Sequence, residues 1–121
     1  MSSHKTFSHQ YIMIPRQSTV EAIVRGTSGN VRVTVSASGP GINPPVQANH
    51  PAAWNQTWQQ DLARKGEYTV VVDIDFLAKA NVDAELRVLD KNGNPFGIPW
   101  ALSLAETPGS FVTLSLGLGV L

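Results

Sequence analysis

Between Glu67 and Leu77 the chain reads Glu-Tyr-Thr-Val-Val-Val-Asp-Ile-Asp-Phe-Leu. A large apolar residue stands at every second position: Tyr68, Val70, Val72, Ile74 and Phe76. Successive side chains of a strand point to opposite faces, so this period of two sends all five to one side. β-branched and aromatic residues suit a pleated, half-buried surface. The segment therefore predicts a central strand with one face on a core.

The same pattern recurs along the chain. Strands are predicted over Phe7 to Ile14, Thr19 to Arg25, Asn30 to Ser38, Trp54 to Leu62, Val82 to Leu89, Phe96 to Leu104 (broken at Pro99) and Ser110 to Val120. Asp90-Lys-Asn92-Gly93-Asn94-Pro95 reads as a hairpin turn, because Asn-Gly easily takes the positive φ angles such turns need. No segment carries the 3.6-residue period of an amphipathic helix. The expectation is an all-β, single-domain antiparallel β-sandwich of about eight strands spanning residues 1–121. The strand number favours a jelly roll over an immunoglobulin-like Greek key. Residues 1–6 read as a loose N-terminal arm. Residues 39–53 read as a long loop, since Gly39-Pro40-Gly41, Pro44-Pro45 and Pro51 oppose regular structure. Loops this long in small domains are often functional.

Charge narrows the choice of partners. Lys and Arg number nine and Asp and Glu number nine, for a net charge of zero. Nothing in that balance draws nucleic acid or an anionic membrane. No uncharged apolar run reaches the length of a membrane helix, about 18 residues. The N-terminus carries no leader-like apolar run, and there is no cysteine. These features point to the cytoplasm, with secretion of a processed chain as the alternative.

The charges are unevenly spread. None falls between Val33 and Gln60, and only Glu106 falls between Asn92 and Leu121. Buried central strands would explain such depletion. A neutral contact surface would explain it too, because charge depletion with aromatic enrichment marks the core of interfaces.

Within the first neutral region lies His50-Pro-Ala-Ala-Trp54-Asn55-Gln56-Thr57-Trp58. On a strand, Trp54 and Trp58 would share a face about 13 Å apart. Indole rings stack on the CH faces of sugars, and Asn and Gln both donate and accept hydrogen bonds. Trp54, Trp58, Asn55 and Gln56, helped by Asn49 and His50, are thus the candidate site for a neutral ligand, with carbohydrate as the expected class. The competing reading places the tryptophans in the core. Trp100, between Pro99 and an apolar strand, is the weaker candidate.

Asp73 and Asp75 share one face of the central strand, and Asp83 and Glu85 share one face of the next. If the two strands form a hairpin, the four carboxylates approach each other and offer hard oxygen ligands to calcium. The alternative is a solvated face with Arg87 and Lys79 as partners. Asp90-Lys-Asn92-Gly93-Asn94 is not an EF-hand loop, because its glycine falls at position 4 and Ala101 stands at position 12. No cofactor is otherwise implied.

No nucleophile elbow, zinc-protease helix or phosphate-binding glycine loop appears, which argues against an enzyme. Two functions remain. The first is a non-catalytic, lectin-like binding module. The second is a structural, self-assembling homo-oligomeric subunit. In the second, the small residues Thr113, Ser115, Gly117 and Gly119 of the last strand would let another backbone approach.

Overall fold

Alternation along Glu67–Leu77 becomes burial alternation in three dimensions. In the computed structural model, Tyr68, Val70, Val72, Ile74 and Phe76 are all buried, and the residues between them are exposed or half-buried. The structure describes residues 3–28, 30–41, 48–51 and 55–121. These form β1 (Ser3–Ile14), β2 (Ser18–Ser28), β3 (Val31–Ser38), β4 (Ala48–Pro51), β5 (Asn55–Leu62), β6 (Gly66–Phe76), β7 (Ala80–Leu89), β8 (Pro95–Glu106) and β9 (Ser110–Val120). There is no helix among the described residues, and so none long and apolar enough to cross a membrane.

Two sheets pack face to face as a sandwich. The first has the order β1-β9-β6-β3-β4 and the second β5-β2-β7-β8. Val33 and Val35 of β3, Leu114 and Leu116 of β9, and the apolar set of β6 line the inner face of the first sheet. Val20 and Ala22 of β2 and Leu86 and Val88 of β7 oppose them from the second. The Asp90 turn forms as expected. Gly93 has φ +84°, and the Asp90 carboxylate accepts from the backbone N–H of Asn92 and Asn94, both at 2.9 Å.

Several expectations are corrected. Ser3 to Thr6, read as a loose arm, belong to β1 and pair with Ser110 to Thr113. That pairing is parallel, so the sandwich is not wholly antiparallel. Within the Pro/Gly-rich stretch, Ala48–Pro51 forms a short strand on β3, which brings the number of strands among the described residues to nine. Residues 42–47 and 52–54 lie outside the described residues. The hairpin between β6 and β7 does not exist. β6 is hydrogen-bonded to β3 on one side and β9 on the other, so it has no edge left for β7. The chain turns at Leu77 and Ala78, whose N–H groups both donate to the Asn30 carbonyl, and enters the other sheet beside β2.

Tyr11 helps tie β1 across the sandwich. Tyr11 is 7 % exposed, and its hydroxyl donates to the Ile98 carbonyl of β8 at 2.6 Å. A bulge follows, with Met13 at φ +58°. It leaves both Ile12 and Met13 exposed and turns Ile14 fully inward. Burial is the main cause holding the Tyr11 phenol above its ordinary value near 10. The folded state thus binds this proton more tightly than the unfolded chain. The stabilisation is complete below pH 10 and is lost as pH rises through the folded value. Tyr11→Phe should cost about 1 kcal/mol at neutral pH. In urea titrations the gap between wild type and variant should close above pH 10, and a gap constant with pH would contradict this account.

Candidate functional site

The two outer faces of the sandwich differ in chemistry. On the second sheet, Glu21 of β2 is only 5 % exposed, and Arg87 and Gln59 both donate to its carboxylate. Arg87 also lies 3.8 Å from Glu85. Beside this group a depression of about 230 Å³ is lined by Ile23, Arg25, Asp83 and Glu85 among others. That face is charged and internally paired.

The outer face of the first sheet is small and uncharged over most of its area. Its rows follow from the register. Gln10, Gly117 and Thr69 lie side by side on β1, β9 and β6. The next row is Ser8, Ser115, Val71 and Ser36, and the next is Thr6, Thr113, Asp73 and Thr34. Charge stands toward its two ends: Glu67, opposite Gly119, at one, and Asp73, Asp75 and Arg32 at the other. There Thr113 Oγ1 donates to Asp73 Oδ1 at 2.8 Å and sits 3.1 Å from His4 Nε2. With the threonine proton committed to Asp73, the His4 nitrogen is the donor to Thr113.

Between these ends a depression of about 490 Å³ is lined by Ser8, His9, Gln10, Thr69, Ser115 and Gly117. Gly117 shapes its floor. A Cβ there would stand 3.1 Å from Gln10 Cγ, so the missing side chain lets Gln10 lie across the strand. Gly119 is approached by the backbone of Ile12, about 4 Å from where its Cβ would be. The backbone expected from another copy therefore belongs to this chain's own β1. Hydroxyls and one carboxamide dominate the lining, and each both donates and accepts. The lining also includes His9, whose ring stacks on Trp100.

Of the predicted tryptophan platform, Trp58 is placed in the core. Trp58 is 9 % exposed and joins the hydrophobic core opposite Ala22, so it is a packing residue. Its Nε1 has no hydrogen-bond partner among the described residues. Trp54 lies outside the described residues. The backbones of Asn55 and Gln56 pair with Arg25 and Val24 in the second sheet, whereas those of Asn49 and His50 pair with Thr34 and Val33 in the first. The set read as one site is thus divided between two sheets. Trp100, the weaker candidate, is half-buried at the sandwich edge, where the His9 ring stacks on it at 5.4 Å.

The calcium cluster is also corrected. Asp73 and Asp75 belong to the first sheet and Asp83 and Glu85 to the second, so the four carboxylates never meet. Among the described residues no group of three or more His, Asp or Glu could hold a metal.

Sequence reasoning singled out Ser115 and Gly117 as part of a small face but missed Ser8, Gln10 and Thr69. Ser8 and Gln10 of β1 are about 60 residues from Thr69, and only strand order joins them. No protein-family model, curated protein or solved structure matches the chain.

Burial decides the role of Trp58. Trp58→Ala should destabilise by about 3–5 kcal/mol through loss of burial and the cavity left behind. Trp58→Phe keeps most of the ring and removes an unpaired buried N–H, so its cost should stay near 1 kcal/mol. Chemical denaturation of both variants tests the pair. Equal, negligible losses would return Trp58 to the surface.

Proposed function

We propose that this chain is a non-catalytic binding module for a neutral ligand, with carbohydrate as the ligand class, and that the outer face of the first sheet is its recognition surface. One observation carries the reading: a depression of about 490 Å³ bounded by Ser8, Gln10, Thr69 and Ser115, none of them ionic. A polyhydroxyl ligand exchanges its bonds to water for bonds to hydroxyls and an amide at little cost. Ionic side chains at the same place would have to be desolvated without compensation. The sheet beneath is rigid, since β9 and β6 are bonded on both edges, so little ordering is needed on binding. The proposal is indifferent to the finer class of the sandwich. A jelly roll and an immunoglobulin-like Greek key would both present such a face.

Glycan-array screening followed by titration calorimetry tests it. Gln10→Ala removes a two-way hydrogen-bonding group, and Ser115→Arg fills the depression with a charge. Each should weaken binding by about tenfold or more, the worth of roughly 1.4 kcal/mol, while the melting temperature changes little. If the wild-type chain binds no neutral glycan, or if both variants bind as it does, the reading is wrong.

A further inference from the structure

The edges of the two sheets are not equally protected. β8 carries Pro95 and Pro99, and its pairing with β7 is interrupted near Gly97. β4 is four residues long and ends in Pro51. β5 carries Asp61 near its end. Prolines, charges, short length and bulges are the devices that keep edges from pairing. β1 has no proline or bulge over its first nine residues. From Ser3 to Tyr11 its register with β9 is unbroken, and its only formal charge is Lys5, which is paired with Glu106 at 3.0 Å. Among the described residues only β9 flanks it, so its other side presents N–H and C=O groups that no described strand pairs.

We propose that this edge is a self-recognition surface: two copies of the chain join through antiparallel β1 strands, with the two-fold axis at Phe7. An isologous contact must be complementary to itself. Phe7 is the midpoint of the regular span, so an axis there pairs every residue from Ser3 to Tyr11. It sets Lys5 against His9, Thr6 against Ser8 and His4 against Gln10, with no like charges opposed. The exposed Phe7 ring, 36 % accessible, meets its own copy on the inner-face side. Moving the axis to Lys5 would oppose two ammonium groups, and moving it to Thr6 would set Lys5 against Phe7. The chosen register also continues the hydroxyl face of the first sheet into the second copy, which places two depressions on one surface. The dimer does not require that any ligand bind there.

The chain has no cysteine, so single introduced thiols report the register directly. Residues directly opposite in an antiparallel pair have Cα atoms about 4.5–5.5 Å apart, within reach of a disulfide. Phe7→Cys should therefore form a covalent dimer under mild oxidation. His4→Cys alone should not, because its two copies lie six register steps apart, about 20 Å. A mixture of His4→Cys and Gln10→Cys chains should cross-link to each other. Light scattering of the wild type should show a dimer that dissociates on dilution, and Phe7→Lys should be a folded monomer. A wild type that stays monomeric at high concentration overturns the proposal. So does failure of Phe7→Cys to cross-link, or cross-linking of His4→Cys alone as readily as Phe7→Cys. None of these readouts depends on glycan binding, so this proposal and the functional one fail separately.

Discussion

Both edges of β6 are occupied within one sheet, and the rest of the architecture follows from that. A strand bonded to β3 on one side and β9 on the other has nothing left to offer β7. The chain must then leave the sheet, and the three residues from Leu77 to Lys79 carry it across to β2. The apolar face of β6 is covered by the sheet so formed. This one saturation separates Asp73 and Asp75 from Asp83 and Glu85, and it gives the two outer faces their different characters.

Those characters have a common cause in packing. Apart from Ser110, the buried inner positions on β3, β6 and β9 are apolar, and alternation sends most of their polar residues to a single outer surface. In the first sheet that surface is mostly serine and threonine, with glycine at 117 and 119. Small side chains on a sheet leave shallow relief, and the relief is deepest where Gly117 has no Cβ to meet Gln10. In the second sheet, Glu21 and Arg87 meet across β2 and β7 and are partly withdrawn from water. Removing either would strand the other, since a buried charge costs far more unpaired than paired.

β1 is the element with the weakest local reasons to be where it is. Most of its side chains are exposed, so hydrophobic burial alone does not hold it. It is retained by the parallel ladder to β9, by the Lys5–Glu106 pair and by Tyr11 reaching the carbonyl of Ile98. The bulge before Ile14 carries a non-glycine residue in the left-handed region, a strain of about 1 kcal/mol or more. Full burial of Ile14 offsets it. A period-two reading of this strand puts Ile12 and Ile14 on one face. The bulge breaks that parity, and no sequence signal announces it.

What the sequence determined by itself was everything that depends on neighbours one to four residues away. Alternation in Tyr68 to Phe76, Val31 to Ala37 and Val112 to Val120 dictates strands and their inner faces, because side-chain direction along a strand is a local property. Asp90 to Pro95 dictates a turn for the same reason. Strand order was decided only by the tertiary structure, because a hairpin and a crossover leave the same alternating pattern behind. That is why Trp58 was readable as either platform or core until β2 was laid against it, and why Ser8, Gln10 and Thr69 had no visible connection. Their meeting depends on backbone pairing between segments about 50 to 110 residues apart, which is a property of the folded sheet and of no shorter stretch.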